Sequence, residues 1–102
     1  MKFELVLQWP ASSVDDYDSM ITIEDSLIEG LPDDCEVDGH DAGSGQANIF
    51  IRTDNPTKTF QDIRNLLGGE DAFDDLRVAY RDRERSEYAV LWPKELKEFQ
   101  IL

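Results

Sequence analysis

Cys35-Glu36-Val37-Asp38-Gly39-His40-Asp41-Ala42-Gly43-Ser44-Gly45-Gln46-Ala47-Asn48-Ile49-Phe50-Ile51-Arg52 reads as two strands and a connection. Residues 35–38 alternate apolar and acidic, and residues 47–52 form a strongly apolar strand. Between them, residues 39–45 hold three of the chain's six glycines. Glycine admits positive φ and offers no side chain to pack, so this run predicts bent backbone and a long polar loop. A hairpin in mid-chain decides the fold through what lies on either side of it.

Upstream, residues 3–8 alternate as a strand with Phe3, Leu5 and Leu7 on one face, ended by Trp9-Pro10. Ser13 then reads as an N-cap, with Asp15 and Asp16 in the favourable first turn. Val14, Tyr17, Met20, Ile21, Leu27, Ile28 and Leu31 follow helical spacing, and Gly30 and Pro32 close the helix. Downstream, Asn55 caps a second helix that has Pro56 at its first position. Phe60, Ile63, Leu66 and Leu67 form its apolar stripe, and Gly68-Gly69 ends it. Residues 70–75 are an acidic linker in which Ala72 and Phe73 pack as a short turn. Residues 76–81 alternate as a fourth strand, 82–86 turn, and 88–92 form a fifth strand halted by Pro93. Leu96, Phe99, Ile101 and Leu102 leave the tail apolar enough to dock on the body.

The order β-α-β-β-α-β predicts a single α+β domain over residues 1–102. Its expected form is a ferredoxin-like antiparallel sheet, with two helices on one face and an extra C-terminal edge strand. Strands 1 and 3 must then be neighbours. The expected core is Phe3, Leu5, Leu7, Tyr17, Ile21, Ile28, Val37, Ile49, Ile51, Phe60, Ile63, Leu67, Val78 and Tyr80.

Charge narrows the function classes. The net charge is −13, and residues 3–51 contain no lysine or arginine at all. Residues 1–51 carry twelve carboxylates against Lys2, whereas residues 52–102 carry eleven acids against nine bases. Such a chain lacks the cations that displace phosphate counterions, which argues against nucleic acid, and its field repels an anionic membrane. The one cysteine, Cys35, excludes an intrachain disulfide. No apolar run approaches the roughly 20 residues of a membrane span. Residues 1–8 do not read as a signal peptide, so the cytoplasm is the expected location.

Residues 38–45 concentrate the unusual side chains, including the only histidine, His40. As a metal site the segment offers Asp38, His40 and Asp41. Zinc usually wants four ligands rich in Cys or His, and the calcium-loop pattern with its distal Glu is absent. As a phosphate cradle, Gly43-Ser44-Gly45 leads into a strand and has no nearby lysine. Ser44, His40 and Asp41 stand too close in sequence to line up as a nucleophilic triad. Turn chemistry explains the same residues more simply. No catalytic constellation is legible, and no cofactor is implied.

The segment Val37-Asp38-Gly39-His40-Asp41-x-Gly43-Ser44-Gly45, leading into Asn48-Ile49-Phe50-Ile51, resembles one found in small, largely uncharacterised bacterial ferredoxin-like proteins. That resemblance implies a bacterial, soluble, single-domain protein and brings no activity with it. In charge, the chain is similar in style to toxin-immunity proteins, many of which are acidic modules that cover basic nucleases.

The expected function is therefore an acidic protein-interaction module without catalytic activity. Its sharpest form is an immunity- or antitoxin-like inhibitor of a basic protein. The expected contact residues are Asp15, Asp18, Asp25, Glu29, Asp33, Asp34, Asp38, His40 and Asp41. Two alternatives stand beside it. One is a small-molecule or metal-binding domain centred on residues 38–45. The other is a self-associating structural protein, possible as a homodimer, using the sheet face that carries Arg77 and Arg81.

Overall fold

A computed structural model of the chain describes residues 1–68 and 75–101. The turn expected around Ala72 and Phe73 lies outside the described residues, as do Gly69 and Leu102. The elements are β1 (Phe3–Pro10), α1 (Val14–Gly30), β2 (Cys35–Gly43), β3 (Gln46–Thr53), α2 (Pro56–Leu67), β4 (Arg77–Asp82) and β5 (Ala89–Trp92). The sheet order is β2-β3-β1-β4-β5, and every neighbouring pair is antiparallel. Its first four strands make the expected ferredoxin-like arrangement. β1 and β3 are adjacent from Phe3↔Thr53 to Pro10↔Gln46, and β5 adds an edge outside β4.

Central position buries the middle of β1 on both faces. Leu5 and Leu7 point to the helices and join Met20, Leu27, Ile49, Ile51, Phe60, Ile63 and Val78 in one core. Each such side chain, fully buried, stabilises the fold by about 1.5–3 kcal/mol. Val6 and Gln8 face the other way yet are also buried, because the C-terminal segment crosses that back face. Gln8 Nε2 donates to the Gln100 carbonyl at 3.1 Å, and the Tyr88 and Phe99 rings meet at a tilt with centroids 5.0 Å apart. The tail docks as its composition predicts.

Both helices begin at the expected caps. Ser13 Oγ accepts from Asp16 N–H, and Asn55 Oδ1 accepts from Lys58 N–H. Gly68, at φ 59°, ends α2 in the left-handed conformation that glycine adopts without strain.

Two expectations are corrected. The long loop is a strand: β2 runs to Gly43, and only Ser44 and Gly45 turn. Their φ values of 53° and 81° match the two-residue turn whose twist suits a hairpin. The third glycine of the run, Gly39 at φ 131°, sits at a bulge where the register steps from Val37↔Ile51 to Gly39↔Phe50. The glycine run thus serves one bulge and one tight turn.

The second correction concerns the core. Tyr17 is 40 % exposed and Ile28 60 % exposed, whereas α1 buries Met20, Glu24 and Leu27. The helix lies over β2 and β3 at the sheet's margin. Its flank at the β2 edge is only partly covered, so Tyr17 and Ile28 stay exposed there.

Candidate functional site

The α1–β2 side of the molecule gathers most of the expected contact residues. Ser13 starts α1 so that Asp15, Asp18, Asp25 and Glu29 fall at three-, seven- and four-residue steps along one exposed line. None of the four has an ion-pair partner among the described residues. Turning round the helix toward β2, the next line is an apolar flank of Tyr17, Ile21 and Ile28, in which Ile21 packs partly against the core while Tyr17 and Ile28 are exposed. Beyond that flank lies the outer edge of β2.

A cluster joins helix to edge. The bulge at Asp38-Gly39 turns His40 to the helix side, opposite Ile49, which belongs to the core. There His40 Nδ1 lies 3.0 Å from both oxygens of Glu24, and Nε2 lies 3.3 Å from the Tyr17 hydroxyl. Glu24 is only 7 % exposed, and among the described residues His40 is its one ion-pair partner. A buried carboxylate left unpaired is costly, so the imidazole is needed where it stands. In the neutral ring, Nδ1–H donates to Glu24 and Nε2 accepts from the phenol.

Glu24, His40 and Tyr17 thus form an acid–imidazole–hydroxyl line held between α1 and β2. Among the described residues, no group of three or more His, Cys, Asp and Glu is placed to hold a metal ion. Cys35, a buried free cysteine, is a poor nucleophile where it stands. Burial, and then the negative charges of Asp34 and Asp62, push its thiol up, which disfavours the reactive thiolate. What lies beside β2 is a shallow cleft of mixed polarity, about 220 Å³, lined by Leu27, Ile28, Leu31, Cys35 and Val37 together with Asp33 and Glu36.

The remaining expected contact residues are divided. Asp33 and Asp41 are exposed, with no ion pair among the described residues. Asp34 is held by Lys58 at 2.7 Å, and Asp38 by Arg52 at 3.2 Å. Lys58 also bonds Asp62, and these two carboxylates push its ammonium pKa up. Asp41 pairs with Asn48 on the back face, as Glu36 pairs with Arg52. Asp38 and Asp41 therefore do not merge with the α1 line; they flank the edge strand from the opposite side.

On the arginine-bearing face Arg81 is engaged, whereas exposed Arg77 has no side-chain bond among the described residues. Arg81 bonds Glu4 at 3.3 Å and the carbonyls of Arg83 and Arg85, while Arg83 bonds the Met1 carbonyl. Sequence reasoning missed Glu24 and placed Tyr17 in the core. The signal for Glu24 was present: it is a carboxylate midway between Met20 and Leu27 on the buried line.

Among the described residues no helix is long and apolar enough to cross a membrane. Compared with protein-family models, with curated proteins and with solved structures, the chain finds no match in any of the three.

Proposed function

We propose that this protein is an acidic interaction module that binds a basic protein partner through α1 and the neighbouring edge of β2. An immunity- or antitoxin-like inhibitor is the sharpest form of that reading. One observation carries it: Asp15, Asp18, Asp25 and Glu29 form a line without counter-charge, directly beside exposed Tyr17 and Ile28. Maintaining unpaired like charges on one helix costs stability, since acids one turn apart repel. Exposed aromatic and aliphatic groups beside them supply the area that an interface buries. The carboxylates then steer encounter and reject acidic competitors, while Tyr17 and Ile28 hold the bound state. The Glu24–His40 pair acts as a clamp that fixes α1 against β2, so the two halves of the surface keep their spacing. Self-association through the arginine face is less well supported, because Arg81 and Arg83 are spent on internal bonds.

The test is affinity capture from source-cell lysate at low and high salt with three forms of the protein. The first is the native chain, and the second carries D15N, D18N, D25N and E29Q. The third carries four neutralisations elsewhere, at Glu84, Glu87, Glu95 and Glu98, and so has the same net charge as the second. Capture of one basic protein by the first and third forms, lost at high salt and with the second, is the expected result. Equal capture by all three forms, or none by any, overturns the reading.

A further inference from the structure

The open side of β2 offers a more specific docking mode. Among the described residues nothing pairs with its outer edge, although the strand runs from Cys35 to Gly43. That edge, stepped once by the bulge at Asp38-Gly39, presents free N–H and C=O groups on either side of the step, a template for one more strand. Its two flanks differ in chemistry. On the helix side, Val37 and His40 continue into the exposed Tyr17 and Ile28 and into the cleft near Leu31. On the back side stand Glu36 and Asp41, both exposed, with Asp38 bonded to Arg52 between them.

We propose that β2 accepts an extended segment of the basic partner as a sixth strand, and that this segment alternates cationic and apolar residues. Successive side chains of a strand point to opposite faces. A strand laid along β2 therefore places every second residue against Tyr17, Ile28 and the cleft, and the others against Glu36 and Asp41. A second copy of this chain does not fit, because pairing β2 with β2 brings those same carboxylates together. Backbone hydrogen bonds would supply affinity, and the two unlike flanks would fix the register. This inference rests on the interaction-module reading and names the form of its partner.

The probe is a nine-residue capped peptide alternating lysine and valine, followed by fluorescence anisotropy at low salt. Three controls accompany it: a peptide of identical composition with the lysines in one block, and two forms N-methylated on alternate amides, one in each phase. The alternating peptide is expected to bind at least tenfold tighter than the block peptide. One N-methylated phase, the one facing β2, is expected to lose at least tenfold while the other keeps its affinity. Exchange of β2 amides should slow on binding, and E36Q with D41N, both at exposed positions, should weaken the complex severalfold. Equal binding by the block peptide, or by both methylated forms and the parent, overturns strand addition. So does amide protection confined to α1. Should those controls fail while neutralising α1 still abolishes capture of the basic protein, strand addition falls and the interaction module stands.

Discussion

His40 shows how a single residue can carry structure that its neighbours in sequence do not announce. Its imidazole is the one ion-pair partner of buried Glu24 among the described residues, so His40→Ala strands an acceptor inside the protein. Loss of about 1–3 kcal/mol is expected in urea denaturation. Glu24→Gln keeps an acceptor for Nδ1–H and should cost about 1 kcal/mol or less. If His40→Ala proves neutral, the clamp is not part of the fold's stability. Ser44 shows the reverse case, a residue whose type is poor for its place. At φ 53° it occupies the left-handed region, which costs most residues roughly 1–2 kcal/mol and asparagine less. Ser44→Asn should therefore stabilise by about 0.5–1 kcal/mol, visible as a higher Tm; a lower Tm would show that the serine makes a compensating bond. Neither role was legible beforehand. The sequence marks Gly39, His40 and Ser44 as unusual, but only strand pairing shows that a bulge turns His40 toward α1.

At the element scale, the helices and most strands were legible because caps and periodicities agree, the glycine-bearing half of β2 excepted, and each helix start rests on bonds that can be tested. Thr53 Oγ1 lies 2.7 Å from Thr59 Oγ1 and accepts from Asn55 N–H at 3.0 Å, joining the end of β3 to the first turn of α2. Both threonines are buried, so Thr53→Val leaves a donor unsatisfied and should cost about 1–3 kcal/mol in denaturant midpoints. No change would mean that water replaces the hydroxyl. At α1, the backbone N–H of Ser12 bonds the Asp16 carboxylate at 2.9 Å and, with the Ser13 cap, holds its pKa below the ordinary 3.8. A depressed carboxyl pKa adds stability that is present above the unfolded value and lost as pH falls through the folded one. Asp16→Asn should thus lower stability at neutral pH and flatten the acid-induced loss below pH 3.8. An unchanged acid limb would remove the cap from the account. What periodicity misjudged was which flank of α1 is covered. Tyr17 and Ile28 satisfy helical spacing as well as Leu27 does, but spacing carries no information about where the sheet ends.

For the whole molecule, the charge asymmetry was legible as a total and not as a map. Asp34 and Asp38 are neutralised by Lys58 and Arg52, cations that come later in the chain and reach back only in the fold. Asp41 turns to the back face, so the surface that remains is the α1 line, the apolar flank and the bare edge of β2. A field of that kind acts on the rate of encounter, raising it by about 10–10³-fold and losing the gain as salt rises. The proposed recruitment of a basic partner depends on this one face and not on net charge alone. It is tested most directly by stopped-flow association rates with the captured partner across ionic strength. The native chain and the form neutralised at Glu84, Glu87, Glu95 and Glu98 should share a steep salt dependence. The form carrying D15N, D18N, D25N and E29Q should associate at least tenfold more slowly at low salt, with a flattened slope. Three indistinguishable salt profiles would contradict the account.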